Sequence, residues 1–142
     1  MRKYHPWILW FLWIIVIFSF SLQPGSTSSE TSGRIVRLIY SLLSNLGIDL
    51  SYDTLSWIVR KGAHMANFFI FAWISIYTQK QKTYKQTLIF ALLAGIIVSS
   101  LDESLQTLID GRAGSILDVG IDTLGTLLAL SMYSIYTRRK YL

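Results

Sequence analysis

The chain of 142 residues has no cysteine, which excludes disulfides and thiolate metal sites and leaves the redox compartment open. Charge is scarce as well: Asp, Glu, Lys and Arg make up 15% of the residues, against about 25% in an ordinary soluble domain. The net charge is +5, yet the 13 basic residues form no long block and are separated by apolar stretches, so no nucleic-acid partner is implied. Internal repeats, a glycine-rich phosphate-cradling loop, a two-His metal spacing and a Ser/His/Asp pattern are all missing. What is abundant is apolar surface, with hydrophobic residues at 52%. One domain, 1–142, is the natural count at this length.

Four apolar runs stand out, at 7–22, 63–78, 86–101 and 116–136. Each approaches or reaches the ~20 residues that cross a ~30 Å hydrocarbon core. The first follows Met1-Arg2-Lys3 as a signal peptide would, but it lacks a small-residue cleavage site and carries Trp7, Trp10 and Trp13. It therefore reads as a retained anchor. After it, residues 23–33 are rich in Pro, Gly, Ser and Thr and read as loop. Next, Ile35, Leu38, Ile39, Leu42, Leu43 and Leu46 recur at helical spacing, the pattern of an amphipathic helix lying in an interface. Gly47 is a stop for it, and Ser51 or Asp53 caps a helix that runs through Trp57 and Arg60 into the second run. Asp110-Gly111 breaks the chain after the third run, and Ser115 starts the last helix. The expected fold is all-α: an integral membrane four-helix bundle with an extra amphipathic interfacial helix in the first outer loop.

Charge orients this bundle. With four spans, one face holds 1–6, 79–85 and 137–142, with eight of the 13 bases and none of the eight acids. By the positive-inside rule that face is cytoplasmic, so both termini lie inside. The acid-bearing face looks outward, and the chain is expected in the cytoplasmic membrane.

Several ionisable residues lie against or within the apolar runs, where such groups are costly and commonly face a bundle interior or a cavity. Arg60, His64 and Asn67 stand at i, i+4 and i+7 and share one helix face. Snorkelling to phosphates explains Arg60 and Lys61, but not a His–Asn row. Asp102 and Gln106 share another face, with Glu103 beside them. These acids fall at the C-terminal end of a helix, where the dipole disfavours negative charge. Adjacent carboxylates also repel, so they call for a cation, with Arg60, Lys61 and Arg112 as candidates. Asp118 has a structural alternative, because Ser115-Ile116-Leu117-Asp118 fits a capping box. Asp122 lies one turn, about 6 Å, deeper on the same face and needs a partner. Gly120 and Gly125 permit close helix approach.

The candidate site thus has His64, Asp102 and Glu103 for acid/base work, and Arg60, Lys61, Asn67, Gln106, Arg112, Asp118 and Asp122 for binding. A metal set can be drawn from His64, Asp102 and Glu103, but without a second His none is expected, and no cofactor is implied.

These residues carry a resemblance to the VanZ-like family of small bacterial membrane proteins, over nearly the whole chain. It rests on Phe18-Ser19-Phe20-Ser21-Leu22-Gln23-Pro24-Gly25 with Ser29 and Ser32, and on Arg60-Lys61-Gly62-Ala63-His64. It continues through Asp102-Glu103-Ser104-Leu105-Gln106, Gly111-Arg112, Ser115, Asp118 and Thr123-Leu124-Gly125. The chain departs from the family pattern at Asp110, where Pro is frequent, at Asp122, where Asn is frequent, and at Asn67, where an acid is common. The family is named for a member associated with low-level teicoplanin resistance. The resemblance implies action at the outer face on a membrane lipid, a lipid-linked cell-wall precursor or a lipophilic glycopeptide.

Three functional classes follow: a membrane-embedded transferase or hydrolase, a non-catalytic binder that alters antibiotic access, and a proton-coupled carrier. Only Asp122 suggests the carrier, and four short helices without paired half-helices or repeats argue against it. A structural bundle whose polar groups merely satisfy one another is the further alternative.

Overall fold

Apolar sequence with helical periodicity satisfies its backbone internally, and the computed structural model is helical wherever the runs fall. It describes residues 5–79 and 82–140. Arg2, Lys3 and Lys80, counted above on the basic face, lie outside the described residues, as do the side chains of Ser29, Arg139 and Lys140. Five helices occur among the described residues: α1 His5–Ser21, α2 Gly25–Asn45, α3 Tyr52–Thr78, α4 Tyr84–Gln106 and α5 Ile116–Lys140. There is no strand among them. Two stretches, Tyr84–Gln106 and Ile116–Arg138, are long and apolar enough to cross a membrane, and His5–Ser21 is a shorter apolar helix.

The helix ends follow local chemistry. Ser51 caps α3, its hydroxyl accepting from the Thr54 amide at 3.2 Å. Thr83 and Gln86 form a reciprocal capping box at the start of α4, which satisfies two of the amides that a helix start leaves open. α2 ends where Gly47 adopts φ +73°. There the Gly47 amide donates to Ser44 and the Ile48 amide to Leu43, the paired bonds of a Schellman motif, which needs a left-handed residue.

The expected loop at 23–33 is corrected by the structure, since α2 already begins at Gly25. Only a short turn precedes it, and Pro24 at φ −53° and ψ 146° leads the chain into the helix. Tertiary contact outweighs the weak helix propensity of this Ser/Thr/Gly stretch. The Gly25 amide donates to the Asp110 carbonyl at 3.3 Å, and a side chain at Gly25 would collide with the Gly111 backbone.

α3 lies at the centre and packs against every other helix. Phe68, Phe71, Ile17, Ala94 and Val98 form one core cluster, flanked by Trp10, Trp13, Ile14 and Phe18. A second cluster joins Ile76, Ala91 and Leu130. Small residues set the spacing. A Cβ at Gly125 would strike the Met65 carbonyl, so α5 sits directly on the α3 backbone. A Cβ at Gly120 would meet nothing within 4 Å, so that glycine plays no part in the approach. Outward, Phe11, Ile15, Leu93, Ile97, Leu124, Leu128 and Ile135 are exposed, an apolar girdle far broader than scattered surface residues.

Candidate functional site

The polar residues meet at one end of the bundle, where α1 and α4 finish, α5 begins and the first half of α3 passes. Asp102, Glu103 and Gln106 occupy the last turn of α4 and are all buried. Successive helical residues diverge by about 100°, yet here both carboxylates turn to one amide. Gln106 Nε2 donates to Asp102 Oδ2 at 3.2 Å and to Glu103 Oε1 at 3.3 Å. Ser21, the last residue of α1, donates to Asp102 Oδ1 at 2.5 Å, and Glu103 Oε2 accepts the Ser115 amide at 2.7 Å.

That last bond changes the reading of the α5 start. In a capping box the residue three beyond the cap reaches back to the cap's amide. Here Glu103, from another helix, takes the Ser115 amide, while the Ser115 hydroxyl accepts from Leu117. Asp118 is therefore no box partner. Its carboxylate is bound to Lys61 in a pair with little exposure on either side. The acid also sits in the first turn of α5, where the dipole favours it.

One turn deeper, Asp122 is fully buried. Ser99 donates to its Oδ2 at 2.7 Å, and His64 Nδ1 stands 3.4 Å from its Oδ1. No hydrogen bond of good alignment reaches that oxygen among the described residues, so the contact with His64 is its main compensation. His64, Asp102 and Glu103 offer ligand atoms that all lie within 4.8 Å of one another.

A cavity of about 400 Å³ opens beside this network. Arg60, His64, Asn67, Asp102 and Arg112, with Ser21, Gln23 and Ser32, supply its polar lining, and Ile17, Phe20, Ile35, Val59, Ala63 and Phe68 its apolar wall. The row Arg60, His64, Asn67 thus faces one space, as its spacing predicts. Arg112 is anchored through Nη2 to the Phe20 carbonyl at 2.9 Å. Partial burial, and then the like charge of Arg60, lower its affinity for a proton, although a guanidinium starts so high that it stays charged. Two cations therefore share the cavity wall.

The expected cation for the Asp102–Glu103 pair is corrected. No Lys or Arg nitrogen lies within 4.0 Å of either carboxylate among the described residues; Lys61 is engaged by Asp118, and Arg112 acts on the pair only at longer range. Hydroxyl, amide and peptide donors hold the pair instead. Sequence reasoning missed Ser21 and Ser99. Ser21 stands in the stretch that carries the family resemblance but was given no role, and Ser99 carried only the weak signal of a small polar residue inside an apolar run.

The fold and site together describe a helical protein with an apolar exterior and a buried acid–imidazole network beside an amphipathic cavity. The chain belongs to the VanZ/LLP1 family, whose sequence profile matches residues 6–137. No curated protein and no solved structure matches it.

Proposed function

We propose that the protein is a single-domain, multi-pass membrane protein of the cytoplasmic membrane, with α1, α3, α4 and α5 as spans, both termini inside and α2 in the outer interface. Its cavity then opens on the extracytoplasmic side and takes the headgroup of an anionic envelope lipid or lipid-linked cell-wall precursor. The observation that carries this reading is the mixed lining. Arg60 and Arg112 share the wall of a space whose remaining surface is largely aliphatic and aromatic. That pairing suits a phosphate joined to a hydrocarbon chain, because guanidinium forks match phosphate geometry and apolar walls bury the chain. Lys61 is held by Asp118 and belongs to the frame.

His64, Asp102 and Glu103 then hydrogen-bond the bound headgroup or move protons on it. Glycopeptide tolerance, by the family likeness, is a consequence of occupying or altering such a lipid. The test is lipid retention by the detergent-purified chain in native mass spectrometry. Phosphatidylglycerol should be kept over phosphatidylcholine, and Arg60→Ala with Arg112→Ala should lower that retention about tenfold or more. Unchanged retention in the double variant rejects the reading. In cells, normally expressed His64→Ala or Asp102→Ala variants with undiminished teicoplanin tolerance would remove the link to the antibiotic.

A further inference from the structure

Two adjacent carboxylates, each nearly excluded from solvent, converge at the end of a helix whose dipole opposes them, with no Lys or Arg at contact distance among the described residues. Each of the four carboxylate oxygens already accepts one hydrogen bond, from Ser21, Gln106 or Ser115. An oxygen accepting once keeps a second lone pair, so both groups are oriented without being saturated. Across from them stands His64. Its Nδ1 is turned to the fully buried Asp122, which leaves Nε2 as the atom free to face the pair.

A carboxylate behind one imidazole nitrogen, with the second nitrogen open, is the arrangement that orients metal-binding histidines. We infer that His64, Asp102 and Glu103 form a binding site for a divalent first-row transition ion, with Asp122 as the positioning residue for the imidazole. Ligand atoms on a tetrahedral ion at bonds of about 2.0–2.2 Å stand about 3.5 Å apart. The three atoms lie within 4.8 Å of one another, so an approach of about an ångström separates them from that spacing. The donor set of one nitrogen and two carboxylates suits zinc or manganese rather than copper(I) or an iron–sulfur cluster. His64 and Asp102 both line the cavity, so the remaining coordination positions face it. The cavity is the one assigned above to a lipid headgroup, and the metal inference stands without that reading.

The test uses the full, tag-free chain in detergent, stripped with EDTA and titrated with Zn²⁺ by calorimetry, with Co²⁺ absorption as a second readout. One ion per chain is expected. Glu103→Gln and His64→Gln should each weaken binding about 100-fold or more and abolish the Co²⁺ spectrum. Asp122→Asn should weaken it about 10- to 100-fold, as loss of an orienting carboxylate does. Arg60→Ala and Arg112→Ala should not weaken it, because neither removes a ligand and Arg112 stands as a like charge toward the ion near Asp102 and Glu103. Wild-type stoichiometry well below one overturns the inference without recourse to any variant, and so does equal affinity in Glu103→Gln. Because the arginine variants report on lipid and the Glu103 and His64 variants on metal, failure of either proposal is visible separately.

Discussion

Lys61 and Asp118 form a pair across α3 and α5 in which the side chains retain 14% and 7% exposure. Breaking one side of so buried a pair leaves a charge without compensation, at a cost of about 3–5 kcal/mol, whereas replacing both by apolar groups is often neutral. The helix dipole at the α5 start offsets part of that cost for Asp118. Lys61→Met is therefore expected to lower stability by about 3 kcal/mol in detergent, and adding Asp118→Leu should restore most of it. Thermal and denaturant unfolding measure both. A single variant as stable as wild type would mean that the pair contributes nothing. The serines make a related point. Ser99 bonds Asp122, while Ser100 next to it bonds the Ile96 carbonyl of its own helix. In sequence the two are indistinguishable, because a helical serine can always turn to the preceding turn's carbonyl.

Among the elements, α2 departs furthest from expectation. Its bundle-facing residue Val36 is fully buried, whereas Ile35, Leu38, Leu42 and Leu46 remain exposed. The apolar stripe read from periodicity therefore divides. One edge, Ile39 and Leu43, is half-buried beside Val36, and the other stays exposed, as the interfacial placement proposed above requires. The Tyr40 and Tyr52 rings, 5.9 Å apart, tie its second half to the start of α3. The Schellman turn at Gly47 is the stop that this helix depends on. A side chain at φ +73° costs about 1–2 kcal/mol. Gly47→Ala should accordingly speed amide exchange at 43–48 by about 5- to 30-fold, with α4 and α5 unaffected. Exchange at the wild-type rate would show that the turn is not limiting.

For the whole molecule, charge separates along the bundle. Lys82, Lys85 and Arg138 lie at the end opposite the acid-bearing site. The absence of native cysteine makes the proposed topology directly testable. Asp53→Cys should react with a membrane-impermeant maleimide on intact cells, and Lys82→Cys should react only after the membrane is opened. The reverse labelling would invert the orientation and put the cavity on the cytoplasmic side.

The sequence by itself determined the helices that follow the four apolar runs and the ends at Ser51 and Gly47, because apolar periodicity and capping bonds act within a few residues. Ser51, Gly47 and the four apolar runs were legible for that reason. So was the shared face of Arg60, His64 and Asn67, since spacing on one helix is a local property. Pairings between helices were decided only by the tertiary structure. Lys61 meets Asp118 rather than Asp102, Glu103 replaces Asp118 at the Ser115 amide, and Ser21 closes on Asp102 across 81 positions. The Lys61–Asp118 pair depends on how closely α5 can approach α3 at Gly125, a distance set by backbone contact and written in no single segment.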